Sequence, residues 1–299
     1  MRTDLRHVSL PPRVLSGDIP ANREVVAIGD VHGQADLLAA CLDRIARAPR
    51  PPGTDRLVVF LGDLIDRGPD SLRAIDLTMD AARLAHADRV VLLPGNHELA
   101  LLDALDGNVE PWLAIGGKTV MQEVDPKWER RPWRQARERL RAAIPETFAA
   151  AIRAAPSHLR IGDLLCVHAG LDPSVPDDIH LARDRPMDDL HWAAIRHESL
   201  SWQGGWDVDA VTGQRWRGPT VVVHGHTPAI RTSLSKTTAE LEQMDGVEGY
   251  RAICLDAGAA YRPQLGWARF AREGEVSVGR IGVVFTWPPG DPEGEQRFR

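Results

Sequence analysis

The residues most able to do chemistry are Asp30, His32, Asp63, Asn96, His168 and His226, each placed where an apolar run stops. They offer carboxylate, amide and imidazole donors and no thiolate, a set that suits Mn2+, Fe or Zn2+. Two divalent ions about 3.5–4 Å apart need a shared anionic ligand, and a carboxylate such as Asp63 can bridge them. A water held between such ions loses a proton near neutral pH and becomes a nucleophile. A lone histidine at a strand end is more often structural than a ligand. Five polar clusters in succession, each after an apolar strand, argue for one hydrolytic site.

The elements that must position these residues are legible as apolar runs. Glu24–Ile28 reads as a buried strand ending in Gly29-Asp30-Val31-His32-Gly33. Gln34 to Ala48 carries Leu37, Leu38, Cys41, Leu42 and Ile45 at helical spacing, and Pro49 to Gly53 breaks it. Arg56–Leu61 repeats the design and ends in Gly62-Asp63-Leu64-Ile65-Asp66-Arg67-Gly68. Asp70-Ser71 can cap a helix running to about Ala87. A third strand stops at Pro94-Gly95, and a helix is predicted from Glu98 through Leu105. Strand–loop–helix units at near-equal spacing imply a βαβαβ half with a parallel sheet. Ligands bind at the carboxyl edge of such sheets.

Residues 110–157 are rich in Arg, Ala and Glu and predict a helical insertion, either over the site or solvated away from it. A second strand-rich half follows. Leu164–Val167 leads to His168-Ala-Gly170, Thr220–Val223 to His224-Gly-His-Thr-Pro228, and Tyr250–Leu255 to Asp256-Ala-Gly258. Late strands are expected over 267–272 and 275–285. Residues 1–22 read as an irregular lead-in, 230–249 as a hairpin or loop, and 288–299 as a disordered tail.

With 43% hydrophobic and 26% charged residues among 299, the chain can build a sizeable core. A net charge of −6 argues against a non-specific nucleic-acid binder. Three widely spaced cysteines, Cys41, Cys166 and Cys254, make neither a disulfide framework nor a thiolate zinc site. Together with a polar start and no apolar run of membrane-spanning length, they predict a cytoplasmic protein without membrane contact.

Gly29-Asp-Val-His-Gly33, Gly62-Asp-Leu-Ile-Asp-Arg-Gly68, Gly95-Asn-His-Glu98, His168-Ala-Gly170 and Gly225-His-Thr-Pro228 resemble the calcineurin-like metallophosphoesterases. The match looks nearest to the bacterial and phage branch of the PPP-type serine/threonine phosphatases. Gly116-Gly117 with Thr119, and Asp256-Ala-Gly258, share that likeness. The resemblance implies an α/β fold, a β-sandwich of two mixed sheets flanked by helices (αββα), forming a single domain over residues 1–299. It implies that Asp30, His32 and Asp63 hold a first metal. Asp63, Asn96, His168 and His226 hold a second, with Mn2+ expected for both. His224 is left to packing. The resemblance makes His97 the general acid and Asp66 its carboxylate partner. Arg67 and Asn96 would bind substrate phosphate. The family's further phosphate-binding arginine lies two residues past a tryptophan. Here Arg196 lies four past Trp192, so Arg196 or Arg217 is expected to serve. Glu98 keeps a local role at the helix start.

The implied activity is hydrolysis of phosphomonoesters, above all phosphoserine and phosphothreonine in proteins, by attack of a dinuclear-metal-bound hydroxide. The expected partner is a phosphoprotein or small phosphoester. Two alternatives stand beside it: a symmetrical diadenosine tetraphosphate hydrolase, and a non-catalytic metal-binding scaffold. The motifs say nothing of oligomeric state.

Overall fold

Three parallel strands carry the first half of the chain in the computed structural model, which describes residues 5–202, 205–206, 218–228 and 252–286. After β1 (Leu5–Ser9) and β2 (Arg13–Val14) come β3 (Arg23–Ile28), α1 (Ala35–Arg47), β4 (Asp55–Phe60), α2 (Ser71–Met79), α3 (Ala81–Leu84), β5 (Arg89–Leu92) and α4 (Asn96–Asp106). Helices α5 (Glu110–Trp112), α6 (Lys118–Val124), α7 (Trp133–Ala143) and α8 (Glu146–Ala154) follow, with a turn over Leu113–Gly117, kinked at Gly116 (φ 145°), between the first two. The second half contains β6 (His158–Ile161), β7 (Leu164–Val167), α9 (Asp177–His180), α10 (His197–Ser201), β8 (Val221–His224), β9 (Ala252–Cys254), β10 (Gln264–Glu273) and β11 (Val276–Thr286).

The strands form two mixed sheets flanked by helices. The larger runs β1-β11-β10-β3-β4-β5, with β2 paired to β11; β3, β4 and β5 are parallel and the rest antiparallel. The smaller runs β6-β7-β8-β9, with only the β6–β7 pair antiparallel. Strand alternation explains the layers. Val25, Ala27, Leu57 and Val59 face Cys166, Val223 and Ile253 between the sheets. Val26, Ile28, Val58 and Phe60 face Leu38, Leu42, Leu101 and Phe148 of the helices. The outer face of the small sheet, with Leu165, Val167 and Val222, is covered by Trp192 and Trp206. Each fully buried Val, Leu, Ile or Phe among these contributes about 1.5–3 kcal/mol of transfer free energy. Both faces of the central strands are covered, so their sequences are continuous apolar runs rather than alternating ones.

Several local expectations change. The lead-in contains β1, whose sequence Leu-Arg-His-Val-Ser alternates exposed and half-buried residues and gains its partner from β11, with Leu5 opposite Thr286. The helix that Asp70 caps, by accepting from the Arg73 N–H at 3.3 Å, ends at Met79, and a separate short turn begins after Asp80. Helix α4 starts two residues early, so Asn96 and His97 lie in its first turn. Arg217 and the stretches 230–249 and 288–299 lie outside the described residues.

Candidate active site

The strand-end motifs converge at one carboxyl edge. Among the described residues six non-glycine residues have positive φ. Five of these are His32 (44°), Asp63 (52°), Asp66 (72°), Arg67 (66°) and His226 (68°). Backbone of this kind costs about 1–3 kcal/mol per residue and persists only where its surroundings over-determine it. Here backbone bonds between loops do so. Val31 and His32 N–H groups donate to the Asp63 carbonyl at 2.9 and 2.8 Å. The buried Glu98 carboxylate accepts from Asp63 and Leu64 at 2.8 Å and from Gly95 at 2.9 Å. Gly95 is required by proximity, since a Cβ there would lie 2.1 Å from Asp63 Oδ1. From the other sheet, Gly225 N–H donates to the His168 carbonyl at 2.7 Å, and His226 N–H to both Asp30 oxygens at 3.1 and 3.0 Å.

Two groups of side chains each bring their ligand atoms within 4.8 Å of one another: His32, Asp63 and His97, and Asp63, His168 and His226. Asp63 belongs to both, the position a bridging carboxylate needs. The imidazoles are oriented for coordination. His32 Nδ1 donates to the Ile65 carbonyl at 3.0 Å, leaving Nε2 3.6 Å from Asp63 Oδ2. His168 Nδ1 donates to the Leu61 carbonyl at 2.7 Å, leaving Nε2 3.4 Å from Asp63 Oδ1 and 3.3 Å from Asn96 Oδ1. His226 is turned the other way: Nε2 donates to the Ala194 carbonyl at 3.1 Å, and Nδ1 is buried without a hydrogen-bond partner. A carbonyl on one ring nitrogen fixes the tautomer and exposes the lone pair of the other. The donor set fits divalent ions. Asp30 stands in neither three-residue group, held by the His226 N–H as described. His224 is buried and its Nδ1 lies 3.1 Å from the Gly225 carbonyl.

Around this core lie His97, Asp66, Arg67 and Arg196. His97 Nδ1 donates to Asp66 Oδ2 at 2.7 Å, and its Nε2 lies 3.9 Å from Asp63 Oδ2. Arg67 Nε donates to the Ile115 carbonyl at 2.9 Å, with the guanidinium 5.7 Å over the Tyr261 ring. Arg196 directly precedes α10 and donates to Thr227 Oγ1 at 2.6 Å. Both arginines line the same small cavity as Asn96, His97, Asp256 and Tyr261. Asp256 enters the sequence reading only within the family-like Asp256-Ala-Gly258 motif, without a site role, and Tyr261 not at all. Asp256 had a signal, a carboxylate directly after an apolar run; Tyr261 sits in a loop and had none.

Buried charge dominates the electrostatics. Burial, with Asp256 and Asp63 nearby, pushes Asp30 well above the usual carboxylate range. Burial also pushes Asp256 up to about 6. For Asp63 burial acts upward but is outweighed by His168, His97 and His32, so it stays well below its ordinary value. Burial lowers His32 to about 3, whereas at His168 the pull of Asp63 and Asp30 overcomes burial and gives about 9. Clustered carboxylates with shifts in opposite directions mark a site built for a cation as well as for protons.

Residues 24–250 match the family model described as calcineurin-like phosphoesterase, and the chain belongs to that family. It is therefore a metallophosphoesterase, a hydrolase of phosphoesters. The chain is 27% identical over 279 residues to the asymmetrical bis(5'-nucleosyl)-tetraphosphatase PrpE of Bacillus subtilis (strain 168), covering 91% of this chain and 97% of that protein. It is 37% identical over 98 residues to serine/threonine-protein phosphatase 2 of Escherichia coli (strain K12), covering 32% of this chain and 39% of that one. Among solved structures, a protein serine/threonine phosphatase from Saccharomyces cerevisiae superposes with a TM-score of 0.49 at 15% identity, covering 91% of this chain and 82% of that one. No described helix is long and apolar enough to cross a membrane.

Proposed function

We propose that the chain hydrolyses phosphomonoesters of alcohols, with phosphoserine and phosphothreonine in proteins as the principal class. The observation that carries this reading is the buried pair of His97 Nδ1 and Asp66 Oδ2 at 2.7 Å, with His97 Nε2 turned toward Asp63. A serine or threonine alkoxide leaves poorly, and a positioned imidazolium that protonates it contributes about 10²–10⁴-fold. A nucleotide leaving group carries a stable phosphate anion and has little need of that proton.

Asp30, His32 and Asp63 would hold one divalent ion, and Asp63, Asn96, His168 and His226 the second, with Mn2+ first in preference and Fe or Zn2+ after it. When bound, such ions would supply Lewis acidity and lower the pKa of a coordinated water. Arg67 and Arg196, with Asn96, orient the phosphoryl oxygens and stabilise the charge that gathers on them in the transition state. His97 gives its Nε2 proton to the departing oxygen while Asp66 keeps the ring oriented. For His97, burial acts against protonation, but Asp63 and Asp66 outweigh it and raise its pKa above the ordinary imidazole value. We read the chain as one phosphoesterase domain, since the family match spans strands of both sheets. Three buried free cysteines support a reducing, cytoplasmic setting.

A second reading has specific support: the near full-length relatives are named as asymmetrical tetraphosphatases, not the symmetrical type that the motifs bring to mind. A side-by-side assay of Mn2+-loaded protein on phosphoserine peptide, p-nitrophenyl phosphate and a dinucleoside tetraphosphate separates the readings. Turnover on the peptide should lead, and His97→Asn should lower it about 10²–10³-fold with both metals retained. Preference for the tetraphosphate would replace the first reading by the second. Hydrolysis of nothing would leave a metal-binding scaffold.

A further inference from the structure

Trp112 ends α5, is fully buried, and donates its indole N–H to both oxygens of Asp66, at 2.9 Å to Oδ2 and 3.1 Å to Oδ1. Asp66 Oδ2 also accepts from His97 Nδ1 at 2.7 Å. Indole is a donor only, so its partner must accept. The indole N–H thus occupies an acceptor position on the Asp66 carboxylate, and with His97 Nδ1 paired to Oδ2 the other ring nitrogen, Nε2, is turned toward Asp63. The indole cannot move aside. Gly117 lies against its face, where a Cβ would come within 2.4 Å of the ring. The same kinked turn offers the Ile115 carbonyl to Arg67 Nε, and a Cβ at Gly116 would meet Arg67 Cγ at 2.7 Å. Trp112, Gly116 and Gly117 do not line the cavity that Arg67 and His97 share, yet they hold Asp66 and Arg67 in place.

We propose that Trp112 is a positioning residue for leaving-group protonation: its N–H locks the Asp66 carboxylate, and through it the His97 ring, in the geometry that delivers the proton. The inference rests on the reading of His97 as the general acid. It predicts a loss that depends on the leaving group. An alkoxide needs the proton, whereas p-nitrophenolate, an acidic phenol, departs nearly as well without it.

The test is Trp112→Phe in the Mn2+-loaded full chain, which keeps an aromatic ring over Gly117 and deletes the N–H. The expected result is a fall in kcat of about tenfold or more on phosphoserine peptide, with p-nitrophenyl phosphate changed by no more than about twofold. KM and metal content should hold. In a His97→Asn background, Trp112→Phe should cost nothing further. Equal losses on both substrates, no loss on the peptide, or a further loss in the His97→Asn background would overturn the proposal. If Trp112→Phe does not fold, the benzothienylalanine analogue at position 112, with sulfur in place of N–H, gives the same comparison. His97→Asn read alone separates the two layers. If its own loss does not depend on the leaving group, the general-acid reading falls and the proposal with it. If it does and that of Trp112→Phe does not, only the proposal falls.

Discussion

Strands β3 and β4 carry buried charge at both ends, and the two ends are built on opposite principles. At the amino end Glu24 and Arg56 are cross-strand partners. Arg56 Nε donates to Glu24 Oε2 at 2.5 Å, and its other nitrogens donate to the carbonyls of Ile45, Ala85 and Ala48. Arg269 brings a second guanidinium to within 2.5 Å of the remaining Glu24 oxygen. One carboxylate meets two arginines, and the carbonyls at the end of α1 serve as acceptors. At the carboxyl end Asp30, Asp63 and Asp256 are all buried, no arginine is ion-paired to any of them among the described residues, and the imidazoles present their free nitrogens inward. The difference teaches how to tell structural from functional burial of charge. A cluster that compensates itself stabilises the fold, whereas one whose carboxylates outnumber its cations is completed by something it binds.

Replacing a charge at each end should therefore cost different things. Asp63→Asn is expected to have the largest effect: loss of metal-dependent hydrolysis on the order of 10³-fold or more, because it removes the carboxylate common to both ligand groups. Metal analysis should show fewer ions per chain, and the far-UV spectrum should stay unchanged, since asparagine tolerates the φ of 52° at that position. Full activity in a metal-replete assay would sink the shared-ligand reading. Arg56→Ala, at the other end of the same strand, should do the reverse. Breaking a buried ion pair costs about 3–5 kcal/mol, so Tm should fall by roughly 10 °C while the metal stoichiometry stays that of the parent. A drop in metal content at preserved Tm would abolish the contrast between the ends.

The carboxyl end was legible because each of its residues sits directly after a continuous apolar run, a local signal that needs no partner to be read. The amino end was not. Glu24 and Arg56 open their strands, look like ordinary solvated strand starts, and become a buried pair only through the parallel register that sets them side by side. The same holds for β1, a half-exposed strand defined by its pairing with β11, and for Trp112, whose partner Asp66 lies 46 positions away. Glu98 shows the boundary within one residue. Its helix-start position was readable from the chain, but the Asp63 and Leu64 N–H groups it accepts come from another loop. Arg196 is a milder case, reaching the site rim despite its longer spacing from Trp192.

The smallest expected effect sharpens the contrast by pH. His168 in the folded chain titrates at about 9, above its unfolded value near 6.5, because Asp63 and Asp30 together overcome burial. A raised folded pKa contributes stability that is fully present below pH 6.5 and is lost as pH rises through about 9. Asp256, at about 6, titrates below that window, and the Glu24–Arg56 cluster holds no imidazole to titrate in it. Protein stripped by a chelator should thus lose a few kcal/mol between pH 6.5 and 9, seen as a Tm lower by several degrees. In the Mn2+-loaded protein the sign should reverse or vanish, because a metal ion takes the nitrogen that the proton would occupy and binds more tightly as that proton leaves. A stripped protein as stable at pH 9 as at 6.5 would mean that the imidazole is not held charged by its carboxylates. The carboxyl end would then be as self-contained as the amino one.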